Sequence, residues 1–309
     1  MTSFRYRLLS AAALLAAVTT PVRPATAEEM KVGFITKFPA EFFAVLENGG
    51  KAYAKTDPTI KIIFGQAKSA TDAEGEIAII ESMMAQGVKG IAITPTDASI
   101  VPSLDKAVQA GIKVVLMDND LPDWKGKTAV VATDNLKGGQ LAGKWLAGKL
   151  KSGDKIALLE GVPGVPALDA RIKGMLEGLG GLKVKVAGKV TTKCQLELGT
   201  SGAEDLLTSN PDLAAIYSAC GAPALGAIQA IDNAKIAPGK IIVVGFDGLS
   251  DEFAAIEKGT EAATVVQFPA KIGELGVKTL AAALKGEKVA AFVDTGTEVA
   301  TKVNVATFK

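Results

Sequence analysis

Short, almost wholly apolar runs alternate with amphipathic stretches along the chain after residue 30, and the alternation occurs twice. In the first half the runs are 31–36 (KVGFIT), 60–65 (IKIIFG), 90–94 (GIAIT) and 112–117 (IKVVLM). In the second they are 155–160 (KIALLE), 183–190 (KVKVAGKV), 213–218 (LAAIYS) and 240–246 (KIIVVGF). Runs this short and this apolar predict strands covered on both faces. The stretches between them predict helices. In 71–86, Ile77, Ile80 and Met84 recur at helical spacing, and Gly87 ends the pattern. Strand–helix order repeated in this way makes a parallel sheet with helices on both sides. The expected fold is therefore α/β, with two similar doubly wound parallel-sheet domains.

The last run of each half ends alike, VVLMDND at 114–120 and VVGFDG at 243–248. Each puts an aspartate, Asp118 or Asp247, just past the carboxyl end of a buried strand. Open α/β sheets bind ligands at that end of their strands. Two sheets facing each other there would enclose a site between domains. The first crossing between the halves is expected at Ala132-Thr133-Asp134. There Asp134 can cap a helix beginning near Leu136, and the pair Gly138-Gly139 lets that helix pack closely. No low-complexity linker separates the halves, so short hinge strands should join them.

The first residues belong to neither half. Arg5 and Arg7, the apolar run 8–18 and the small-x-small triplet Ala25-Thr26-Ala27 make a secretory leader, expected to span 1–27. Its apolar run falls well short of the ~20 residues that cross a bilayer. Cleavage leaves enough chain for two domains of ordinary size, exported to the periplasm. Loss of Arg5, Arg7 and Arg23 takes the formal charge from +1 to −2. A near-neutral chain without basic runs argues against nucleic acid as a partner. There is no histidine among the 309 residues. Serine–histidine and cysteine–histidine catalysis and histidine-ligated metals are thereby excluded, and no cofactor or metal is expected.

Beyond this general architecture, specific stretches resemble the periplasmic sugar-binding proteins of the ribose-binding type. They are Phe42-Phe43, TPTD at 94–97, MDND at 117–120, ATDN with GG at 132–139, DARIKGM at 169–175, VVGFDG, and VVQFP at 265–269. The resemblance implies three crossings between domains. One domain would comprise 28–132 plus 268–292, and the other 133–267 plus 293–309. It implies a monomer that closes on a small polyhydroxylated ligand and docks on ABC permease subunits in the inner membrane, with a chemoreceptor as a second possible partner. It also places a ligand set at Lys37, Phe42, Phe43, Asp118, Asn119, Asp120, Asp169, Arg171, Cys220, Asp247 and Gln267. Carboxylates and a guanidinium suit hydroxyls because charge-assisted hydrogen bonds are about twice as strong as neutral ones. Aromatic rings suit the apolar face of a sugar. The chain departs from the family pattern at Ala40, Asn119, Cys194 and Cys220, which removes donors and one aromatic wall and argues against ribose itself. A compact sugar, deoxysugar, amino sugar or polyol stays open.

Each of these residues also has a plainer reading. Phe42 and Phe43 are adjacent on a helix, so at least one should be core. Asp118 and Asp247 could be turn residues, Arg171 a surface ion pair, Gln267 a hinge residue and Lys37 a solvated lysine. Cys194 and Cys220 are either two buried small side chains or a disulfide across the cleft floor. The strands before them should flank a third, a long reach for a bridge. An enzyme is disfavoured because GVPGV at 161–165 has the wrong glycine spacing for a dinucleotide loop, and Pro163 removes a backbone donor. A repressor core of the same fold would need a DNA-binding segment where the leader stands.

Overall fold

The structure, a computed structural model, describes residues 1–2 and 29–309. The expected leader lies almost wholly outside the described residues. The first part of the chain runs β1 (Met30–Thr36), α1 (Glu41–Thr56), β2 (Ile60–Gln66), α2 (Ala73–Ala85), β3 (Gly90–Ile93), α3 (Val101–Gln109), β4 (Lys113–Met117) and β5 (Ala129–Ala132). There follow α4 (Asn135–Ala147), β6 (Lys155–Glu160), α5 (Pro166–Gly178), β7 (Lys185–Thr191), α6 (Leu196–Ser209), β8 (Leu213–Ser218), α7 (Gly221–Asn233), β9 (Ile242–Asp247), α8 (Ser250–Lys258) and β10 (Ala263–Val266). The last elements are α9 (Pro269–Leu284), β11 (Phe292–Asp294) and β12 (Glu298–Thr301).

Two six-stranded sheets result, ordered β11-β5-β4-β3-β1-β2 and β12-β10-β9-β8-β6-β7. They share one strand order and differ in the sense of the edge strand β11 or β12. All pairings are parallel except β10 with β12. Each sheet reverses direction of strand order beside its first strand, where α/β sheets open a crevice. The inner strands are buried because helices cover both faces, and that is why they read as unbroken apolar runs; the runs at 60–65 and 183–190, expected to be covered alike, form the sheet edges β2 and β7 and stay partly exposed. Val114, Leu116, Ile91 and Ile93 pack under α2 and α3, while Phe34, Val115 and Met117 pack under α1 and α9.

The chain passes between the sheets three times: after β5, after β10, and between β11 and β12. At the first passage Asp134 caps α4, accepting from the backbone N–H of Lys137. At the third, β11 carries the first sheet's pairing on to Asp294, beyond residue 292 where the sequence puts the division. Gly139 and Gly174 then let α4 and α5 touch backbone to backbone. A Cβ on Gly139 would collide with the carbonyl oxygen of Arg171, and one on Gly174 with that of Leu136. That close approach fixes α5, and with it the Arg171 side chain.

Candidate ligand-binding site

The carboxyl ends of the two sheets face each other across a cavity of about 150 Å³. This is smaller than the ~300–1,000 Å³ pockets that hold drug-sized molecules, and suits a compact ligand. Nine of the eleven expected side chains reach it, each from a strand end or the helix that follows. Lys37 follows β1, Phe42 and Phe43 open α1, and Asp118 and Asn119 follow β4. From the other lobe come Arg171 on α5, Cys220 capping α7, Asp247 ending β9 and Gln267 after β10. The lobes also touch directly, since Glu41 at the start of α1 accepts from the backbone N–H of Ser250 at 3.3 Å.

Asp118 and Asp247, paired in the sequence, are paired in conformation as well. Their φ angles are 64° and 114°, on the side of the map that side chains other than glycine rarely occupy. The positive φ breaks each strand's direction where its aspartate meets the cavity. Strain of this kind persists where surrounding contacts hold it. Asp247 has such contacts. Its Oδ1 accepts from Arg171 Nη1 at 3.0 Å and Gln267 Nε2 at 2.7 Å, and its Oδ2 from the Gly221 N–H at 3.0 Å. Arg171 is held further by Asn135 Oδ1 on Nε and the Ala219 carbonyl on Nη1, and its guanidinium lies 3.9 Å from the Phe246 ring centre. It is 4 % exposed, so the surface ion-pair reading fails for it.

The first lobe's charges are far less engaged. Lys37 is 7 % exposed, and among the described residues no hydrogen bond or ion pair holds its ammonium. Burial lowers its pKa, with Asp118 and Glu76 pulling it part of the way back. Asp118 is 8 % exposed, and its one protein donor is Asn119 Nδ2 at 3.3 Å. Burial raises its pKa, and Lys37 and then Arg171 oppose that rise. Gln267 Oε1 is buried and has no partner among the described residues. Arg171 Nη2 meets no acceptor among the described residues. The cavity is therefore lined by both under-used donors and under-used acceptors.

Two expected residues do not reach it. Asp120 turns outward to a 2.6 Å ion pair with Lys127, beside Trp124. Asp169 is exposed two residues before Arg171 and accepts from the Gly164 N–H at 3.1 Å. Phe43 is core and Phe42 half-buried, their rings edge-to-face at 5.4 Å, and both touch the cavity. Cys194 and Cys220 form a disulfide with Cα atoms 5.5 Å apart. Their strands do flank β6. The bridge passes over its end because Gly161 there has no side chain: a Cβ would stand 3.0 Å from Cys194 Sγ. Sequence reasoning missed Phe38, Val162, Val165, Leu168 and Leu249. Of these Phe38 and Val162 lie just past strand ends, and that rule applied throughout would have found them.

Residues 32–288 match the family described as periplasmic binding protein domain. The D-ribose/D-allose-binding protein of Pseudomonas aeruginosa is 32% identical, the alignment covering 91% of this chain and 92% of that one. The ribose import binding protein RbsB of Bacillus subtilis is 35% identical, over 80% of this chain and 79% of its own length. Among solved structures, an ABC transporter periplasmic solute binding protein from Actinobacillus succinogenes, with bound D-allose, superposes with a TM-score of 0.84 at 26% identity. It covers 90% of this chain and 99% of that one. Sequence, sheet order and inter-lobe cleft agree, and the chain belongs to the periplasmic binding protein family, in its ribose-binding type.

Proposed function

We propose that this chain is the solute-binding component of an ABC importer, taking a small polyhydroxylated ligand into the cavity between its lobes. The meeting of under-used donors and acceptors at that cavity carries the reading. Lys37 and Arg171 Nη2 offer hydrogens, while Asp118 and the remaining lone pair of Asp247 Oδ2 accept them. A hydroxyl both donates and accepts, so neighbouring hydroxyls of one ligand satisfy both sets. Phe42, Phe43 and Phe38, packed edge to face, supply an apolar surface for the C–H face. The relatives that bind or import ribose and allose support the same class.

The mechanism is closure. A ligand that touches Lys37 and Asp118 on one lobe and Arg171 and Asp247 on the other binds the closed form best, and shifts the equilibrium toward it. Several charge-assisted bonds in a desolvated gap give affinities on the order of 1 µM, about −8 kcal/mol. The protein works as an exported monomer that binds without turnover, and its closed shape is what the permease subunits read. A thermal-shift screen of residues 28–309 against pentoses, hexoses, deoxysugars, amino sugars and polyols tests this. A ligand at a hundred times its Kd adds about 2.7 kcal/mol. A panel that leaves the melting point unmoved refutes the sugar reading. Asp118→Asn, which removes a carboxylate with one weak protein contact, should cost binding about tenfold or more and leave the fold intact.

A further inference from the structure

The second lobe presents two unlike surfaces to the cavity. Arg171, Asp247 and Gln267 are bonded into one cluster. The rest of that face carries no side chain able to form a strong hydrogen bond. Val162, Val165 and Leu168 approach from one side, Leu249 from another, and the Cys194–Cys220 disulfide stands with them. Disulfide sulfur is large, polarisable and at best a weak acceptor. Gly161 makes room for it at the end of β6. The cavity is thus polar at Lys37, Asp118 and Asn119 and at the Asp247 cluster, and apolar at the first lobe's phenylalanines and along the disulfide wall.

We propose that this wall selects a ligand with an apolar edge: a deoxysugar, or another sugar derivative that lacks one hydroxyl of its parent. The methyl or methylene edge packs on the disulfide and on Leu168, while the remaining hydroxyls meet Lys37, Asp118 and the Arg171–Asp247–Gln267 cluster. The proposal rests on the sugar-binding reading and narrows it. A hydroxyl pressed against this wall would lose its water and gain no side-chain partner, which costs affinity, whereas a methyl group there gains burial.

Titration calorimetry on residues 28–309 with matched pairs tests it: L-rhamnose against L-mannose, D-fucose against D-galactose, L-fucose against L-galactose, and 5-deoxy-D-ribose against D-ribose. In the pair that binds best, the deoxy member should bind about tenfold or more tightly. Equal binding, or preference for the fully hydroxylated member, overturns the proposal and leaves the sugar reading standing. Absence of binding by all of these and by the wider panel overturns both. The double variant Cys194→Ser/Cys220→Ser should narrow the ratio several-fold. Should that variant fail to fold, Leu168→Asn makes the same change of polarity away from the bridge. A ratio unmoved in a folded variant overturns the role given to the wall.

Discussion

Replacing Asp247 with asparagine separates the charge of this residue from its shape. Asparagine tolerates positive φ, so the turn at the end of β9 should survive. Its amide oxygen can still accept from Arg171 and Gln267, but its NH2 group would point at the Gly221 N–H that Oδ2 now accepts. The main loss is electrostatic. The pair is desolvated, with side chains 5 % and 16 % exposed, so Arg171 would keep its charge without its counter-ion. Removing one partner of a buried pair outright costs about 3–5 kcal/mol. With two of the three hydrogen bonds retained, about 2–3 kcal/mol is expected. At ~2–4 °C per kcal/mol for a chain of this class, the melting point should fall by about 4–12 °C. Differential scanning calorimetry of the ligand-free protein reads this. Arg171→Met, alone and combined with Asp247→Asn, completes a double-mutant cycle whose coupling should exceed about 1 kcal/mol. A melting point within about 2 °C of the parent, or a coupling near zero, would refute the claim that Asp247 neutralises a buried cation.

Three other outcomes follow from the packing. Glu252 and Glu261 are both buried beside Thr264, and burial raises the pKa of each, to about 8 for Glu252. A carboxyl whose folded pKa lies above its unfolded value stabilises the protein when protonated and loses that contribution as pH rises between the two. The melting point should therefore decline from about pH 5 towards pH 8 and above, by up to ~1.4 kcal/mol per pH unit for each titrating proton, and Glu261→Gln should flatten the decline. Reducing the Cys194–Cys220 bridge frees a loop of separation 26 and should cost about 3.5 kcal/mol on a chain-entropy basis, read as a lower denaturation midpoint with dithiothreitol. Gly139→Ala should push α5 away from α4, destabilise the protein by about 1–3 kcal/mol and weaken ligand binding through Arg171, whereas Gly181→Ala, with nothing within 4 Å, should spare binding.

Much of this was legible in the sequence because buried strands and helices are periodic, and periodicity needs no knowledge of the partner. The paired aspartates ending β4 and β9 could be read for that reason, as could Asp134 as a cap. Which way a side chain leaves a loop is not periodic. Asp120 lies two residues past Asp118 and Asp169 two before Arg171, yet each turns to a local partner, Lys127 or the Gly164 N–H. The disulfide was undecided for a related reason. Strand order separates β7 from β8, and only the bare backbone at Gly161 and the positive φ of Lys193 and Cys194 (51° and 56°) bring the loops together.

The three passages between sheets bear on when this chain can fold. The first lobe's edge strand β11 and the helix α9, whose Gly273 lies against the Leu46 carbonyl of α1, come from the last quarter of the sequence. Until those residues have been made, the apolar side of β1 and β4 has only part of its cover. The first lobe of a growing chain should therefore stay loose until synthesis is nearly complete, while the second lobe, most of whose elements are made by residue 266, need not. A fragment ending at residue 266 should accordingly bind hydrophobic dye and lack a cooperative transition for its first lobe. A sharp melt of that lobe would show that the late segments are dispensable for its assembly.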